Sequence, residues 1–240
     1  MKLTELFRRL SFGELSNLAV GGEGSGALTE AVKPRVLHYA NEALLRLHSR
    51  FMLRENVVMV EQFEHLTFYY LMKRYAKSQS DVVPTENCPA PPHFYIVDSE
   101  SEPFQEDVIK ILTVFDEDGE QLVLNDAEDV HSLFTPQPNL LQIPAPVAGR
   151  VVAVSYQARH PVLVMDDECQ EIDLPFTLEG ALTAYIAYMV FSHMNGQDNS
   201  AKAQEHLSMY DMICGEVTDQ DLVSQNGNTT LTKFDKRGFV

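Results

Sequence analysis

The chain has 240 residues, 45% of them hydrophobic, enough for one large domain or two modest ones and too apolar for wholesale disorder. Asp and Glu number 35 against 18 Lys and Arg, a net charge of −17, which favours solubility and sets the surface against nucleic acid and anionic membrane. No uninterrupted apolar run approaches the roughly twenty residues that a membrane span needs.

The opening MKLTELFRRLSFGELSNL lacks the long apolar stretch of a secretory signal, and Glu5 and Glu14 interrupt its basic residues, against a transit peptide. Leu3, Leu6, Phe7 and Leu10 recur at helical spacing, with Leu15 and Leu18 behind them. They predict a helix from near Thr4 to near Ala19, with Gly13 as the place for a bend. GGEGSG, 21–26, reads as a flexible stop. A phosphate-binding loop would need a strand before it and a Lys–Ser/Thr pair after it, and here Ala27 and Leu28 follow. A second helix follows, in which Pro34 either opens the main helix or kinks a longer one. Val36, Leu37, Ala40, Leu44 and Leu47 form its apolar stripe, away from Arg35, Glu42, Arg46 and Arg50.

From Glu55 the period changes. ENVVMVEQ and HLTFYYLMKRY are rich in β-branched and aromatic residues and suit strands, as does HFYIVD after a proline-rich loop at 79–92. Val108–Phe115 and Gln121–Leu124 flank an acidic turn ending in Gly119, the pattern of a β-hairpin. LFTPQPNLLQIPAP supplies a turn and an edge strand. RVVAVSYQARHPVLV gives one long or two short strands, with Pro161 at an edge or break.

Pro175 and Thr177 open a helix that Asn195 and Gly196 close, and its interior ALTAYIAYMVF is apolar nearly all round. After the loop QDNS, a partner helix carries Ala203, Leu207, Tyr210 and Ile213 on one side and completes an αα-hairpin. The tail NGNTTLTKFDKRGFV reads as an extended arm that orders on docking to a neighbour. The fold class expected is α+β. Segments 1–53 and 175–224 form a helical bundle, 54–174 an inserted antiparallel β-sandwich or barrel-like domain, and 225–240 the arm.

Catalytic signatures are missing. DEDGE, 116–120, lacks the further oxygen ligands and late glutamate of a calcium loop, and VMDDECQE, 164–171, reads as an acidic connector. The eight histidines form neither HxH nor HExxH, and no GxSxG elbow occurs. Cys88, Cys169 and Cys214 lie far apart without CxxC spacing, as reduced thiols without a zinc site do. No metal or other cofactor is expected.

The string ELSNLAVGGEGSGALTEAVKPRVLHYANEALLRLHSRF resembles the opening of the head-to-tail adaptor proteins of short-tailed bacteriophages, the tail tubular protein A or head completion family. Pro175, Ala181, Leu182, Tyr185, Ala187, Tyr188, Asn195, Gly196 and Tyr210 are similar to that family's closing helical hairpin, and the two segments together cover somewhat under half of the chain. The resemblance implies a non-catalytic virion protein in the neck or tail region, assembled in the host cytoplasm. It implies a ring, typically a dodecamer, beneath the portal protein and joined to tail nozzle or tail fibre proteins. DNA would pass through the channel without specific binding. Leu231, Phe234, Lys236, Arg237 and Phe239 of the arm would contact the portal or a neighbouring subunit. Tyr185, Tyr188 and Met189 would pack helices between subunits. Two other readings compete. One is a β-rich module recognising a glycan or a protein through exposed aromatics such as Tyr69, Tyr70, Phe94 and Tyr95. The other is a glycosidase, for which only the abundance of carboxylates speaks.

Overall fold

The computed structural model describes residues 1–16, 28–80, 91–165 and 170–223. The glycine-rich 21–26, Leu18 and Ala19, most of the proline-rich loop, Cys88, Cys169 and the arm 225–240 lie outside the described residues. Helices and two antiparallel sheets make the chain α+β. It divides into two compact units, Met1–Ala43 with Leu163–Val240, and Leu44–Val162. The division falls inside a continuous helix.

In the first unit, α1 (Leu3–Phe12) buries Leu3, Leu6, Phe7 and Leu10. Such spacing puts them on one face, and each contributes about 1.5–3 kcal/mol of transfer free energy. The helix is shorter than its spacing predicts. Gly13 leaves helical geometry at φ −102° and ψ −114°, while its N–H still donates to the Arg9 carbonyl at 2.8 Å. Gly13 therefore ends the helix instead of bending it. The start of α1 is tied to the 170–172 segment: the Leu3 N–H donates to the Gln170 carbonyl (3.1 Å), and the Ile172 N–H to the Met1 carbonyl (2.7 Å). Arg9 pairs with both Glu5 and Glu179.

Helix α2 (Lys33–Arg50) carries Pro34 in its first turn, where a missing N–H costs no intrahelical bond, so Pro34 opens the helix. Val36, Leu37, Ala40, Leu44 and Leu47 are all buried, as the apolar stripe predicts.

A 3₁₀ turn, Phe176–Leu178, leads from Pro175 into α3 (Glu179–Ser192). Nine of its 14 residues are buried, including every position from Ala181 to Ala187, so burial does not follow one face. Helix α4 (Gln197–Asp219) begins directly after Gly196, whose φ of +125° only glycine adopts readily. The expected QDNS loop is thus the first turn of α4, with Asp198 favourably placed at the positive end of the helix dipole. Tyr185 packs against Tyr210 with ring centres 5.2 Å apart, and Phe191 stacks on His206 at 5.2 Å. The buried residues of α4 are Ala203, Tyr210, Cys214 and Val217, while Leu207 and Ile213 are half-buried.

In the second unit, one sheet has the order β3 (Ile96–Val97), β1 (Glu55–Glu61), β7 (Val151–Ala158), β4 (Val108–Phe115). The other has β2 (Phe68–Tyr70), β6 (Leu140–Gln142), β5 (Phe134–Gln137). Alternation along β1 and β7 turns Val58, Val60, Val152, Val154 and Tyr156 into a core that Tyr69, Leu71, Tyr95 and Leu141 share. Gln157 donates from its amide to the carbonyls of His48 and Phe51, satisfying acceptors that the end of α2 leaves open.

Two strand expectations are corrected. The acidic turn after β4 forms, with the Gly119 N–H on the Asp116 carbonyl at 3.1 Å, but Gln121–Leu124 is not a full strand. It meets β4 in a single bridge, Phe115 with Gln121, and then leaves β4 so that Leu124 bridges Leu133. The strand expected over HLTFYYLMKRY stops at Tyr70, and Lys73–Tyr75 forms a 3₁₀ turn.

Candidate functional site

Strand β1 is longer than its neighbour β3. It pairs with β7 along its whole length, from Glu55 with Gln157 to Glu61 with Val151. On the other side, among the described residues, only Met59 and Val60 have strand partners, Val97 and Ile96. Glu55–Val58 is therefore an open sheet edge. The Glu61 N–H donates to the Tyr95 carbonyl at 2.8 Å, so the odd-numbered residues of β1 direct their backbone groups to the β3 side. Glu55 and Val57 consequently present backbone donors and acceptors beyond the end of β3.

The segment that leaves β3, DSESEPFQED at 98–107, stands away from this edge and encloses a groove of about 720 Å³. Val57, Met59, Val97, Phe104 and Tyr156 line it with apolar surface; Arg54, Asn56, Asp98, Glu102 and Asp107 add polar groups. Val57, Met59 and Val97 are 57%, 45% and 36% exposed, so the open edge carries apolar surface to solvent.

Two carboxylates hold the loop. Asp98 accepts the Ser78 N–H (2.8 Å), the Ser78 hydroxyl (2.6 Å) and the Phe104 N–H (2.9 Å). Burial acts to raise its pKa, but the Ser78 and Phe104 donors outweigh that and hold it below the ordinary carboxylate value. Asp107, 7% exposed, accepts from the Asn56 amide (2.9 Å) and the Tyr156 hydroxyl (2.8 Å). Burial, then the nearby Asp107 charge, push Tyr156 well above the usual phenol value. Glu106 sits between them at φ +55°, a conformation a non-glycine residue adopts only under local constraint, and its carboxylate accepts the Lys73 N–H at 3.3 Å.

The residues lining the groove include no His, Cys or Lys. The carboxylates of Asp98 and Asp107 are bonded as loop supports, while that of Glu102 is exposed. What the arrangement offers is a strip of sheet edge, an apolar floor and an acidic wall.

The structure places the other sequence-derived candidates as follows. Leu231, Phe234, Lys236, Arg237 and Phe239 lie outside the described residues. Tyr185 is buried between Tyr188 and Tyr210, whereas Tyr188 and Met189 are half-buried. Tyr69 and Tyr95 are core residues, edge-on to each other at 5.1 Å, and the Tyr95 hydroxyl receives the Tyr70 N–H at 2.8 Å. That removes them as exposed recognition aromatics, because each ring is spent on the packing of its own unit. Tyr70 and Phe94 are half-buried. Asp116 of the acidic turn accepts the N–H groups of Asp118 (3.0 Å) and Glu120 (2.9 Å) and pairs with Arg150 (3.3 Å), so its oxygens close the turn.

Among the described residues no group of three or more His, Cys, Asp or Glu side chains is placed to hold a metal ion, and no helix is long and apolar enough to cross a membrane. Cys214 is a buried thiol in no disulfide. No family model matches the chain, and no curated protein matches it either.

Proposed function

We propose that this chain is a head-to-tail adaptor of a short-tailed phage virion. In this reading about twelve copies, the number the sequence resemblance implies, form a ring beneath the portal protein and join it to the tail nozzle or fibres. The helical segments 1–53 and 175–224 form a bundle that builds the ring. The β segment 54–174 is an inserted sandwich, and 225–240 is an arm reaching the portal or a neighbour. The protein acts without catalysis, and its acidic surface lets DNA pass without holding it.

The observation that carries this reading is the α3–α4 hairpin. Helix α3 is apolar around its circumference, yet Tyr188 and Met189 keep free surface, and Met209 and Met212 of α4 are 42% and 57% exposed. Methionine on an exposed helix face gives an adaptable apolar surface for a like helix. The test substitutes Met209→Lys and Met212→Lys together. The reading expects an unchanged monomer melting temperature and no ring on the cognate portal; an intact ring counts against it.

A second reading, a non-catalytic β-rich module in a tail or surface assembly, draws on the groove beside β1. An open edge with an acidic wall suits an extended protein segment better than a glycan. Binding of a protein ligand that survives loss of all self-association would favour it.

A further inference from the structure

The groove has three features that together specify an occupant. Its edge, Glu55–Val58, lacks a strand partner on the β3 side among the described residues, and an unpaired edge is a template for an added strand. Its floor is apolar and exposed at Val57, Met59 and Val97. Its wall, 98–107, holds five acids; Asp98, Glu102 and Asp107 line the groove, and Glu100, Glu102 and Glu106 are exposed. An occupant must be extended, β-favouring, cationic and equipped with an apolar anchor.

We propose that the groove receives residues 229–237, TTLTKFDKR, of a second copy of this chain, as a strand added alongside Glu55–Val58. This rests on the arm-to-neighbour reading above. In a chain of net charge −17 this segment is locally basic, with Lys233, Lys236 and Arg237 against the single acid Asp235. Thr229, Thr230, Thr232 and Phe234 favour strand geometry, and no proline interrupts the run. Nine extended residues span about 30 Å against the roughly 13 Å of four edge residues. The segment can therefore pair with the edge through its first half and carry Lys236 and Arg237 past the acidic wall. Phe234 supplies the apolar anchor for Val57 and Met59. The pairing also gives strongly acidic copies a local attraction that offsets their mutual repulsion.

The test uses the full-length chain with Val57 replaced by the photoreactive residue benzoylphenylalanine, a change that its exposed position tolerates. Unlabelled and isotope-labelled copies are mixed at high concentration, irradiated, and their crosslinked peptides sequenced. The expected result is crosslinking between copies into residues 229–237. Yield should fall about tenfold in Glu100→Lys/Glu102→Lys, since two favourable pairs become repulsive, and recover when Lys236→Glu/Arg237→Glu is added. Crosslinks only to other segments, only within one copy, or none at all would overturn the proposal. A ring that assembles on the portal without these crosslinks removes this inference and leaves the adaptor reading standing. Crosslinks from a protein that forms no ring do the reverse.

Discussion

The hydroxyl of Tyr156, on the inward face of β7, donates a 2.8 Å hydrogen bond to the carboxylate of Asp107, the last residue of the groove wall. The contact joins the centre of the sheet to the loop that shapes its open edge. The Asn56 amide completes the pair from β1. A buried carboxylate with two side-chain donors is stable only while both remain, since an unsatisfied buried acceptor costs its full desolvation.

Tyr156→Phe removes one donor and keeps the ring. The expected cost is about 1–3 kcal/mol of unfolding free energy. Chemical denaturation checks it, and a midpoint unchanged from wild type would show the bond to be incidental.

At Gly13 a Cβ would lie 2.8 Å from the Arg9 carbonyl oxygen, and that oxygen is backbone, with no freedom to swing aside. Gly13→Ala should lower stability by about 1–3 kcal/mol. Gly215, inside α4, has nothing within 4 Å of a built Cβ. Gly215→Ala should raise stability by about 0.5–1 kcal/mol, the ordinary gain of alanine in a helix interior. Paired thermal melts of the two variants, moving in opposite directions, check both statements.

Alkaline pH should unfold the second unit cooperatively. Burial raises the pKa of Tyr69, Tyr95 and Tyr156, each above the ordinary value near 10. Groups with raised folded values contribute stability that is complete below the unfolded pKa and is lost as pH climbs toward the folded one. Tyrosinate absorbance should therefore show Tyr69, Tyr95 and Tyr156 ionising only together with loss of the tertiary signal. Ionisation of these three in a chain that stays folded would contradict this.

Asp98 acts at the other end of the scale. Its folded pKa is depressed, so its contribution is present above the unfolded value of 3.8 and lost as pH falls through the folded one. Ser78→Ala removes the hydroxyl donor, and the variant should lose stability relative to wild type at neutral pH, with the difference shrinking in acid. Denaturation curves collected across that range measure it.

Much of the architecture is legible in the sequence, because apolar spacing reports burial directly. The β-branched runs of ENVVMVE and VVAVSYQA mark β1 and β7, and Asn195–Gly196 marks the α3–α4 turn. What escapes the pattern depends on neighbours. Gln121–Leu124 has strand composition, but the segment leaves β4 after one bridge and Leu124 pairs with Leu133. Tyr69 and Tyr95 look available in a one-dimensional reading and are consumed by a core shared between two sheets. The polar QDNS reads as a loop, yet polar residues are what a first helical turn accepts. The groove is the least legible feature. It arises because β3 has two residues where β1 has seven, a mismatch that no local signal records.

The central claim is assembly, and the most direct measurement is native mass spectrometry of the purified protein, alone and mixed with its cognate portal. The account predicts a portal-dependent ring of about twelve copies. A monomer whose mass is indifferent to the portal would contradict it.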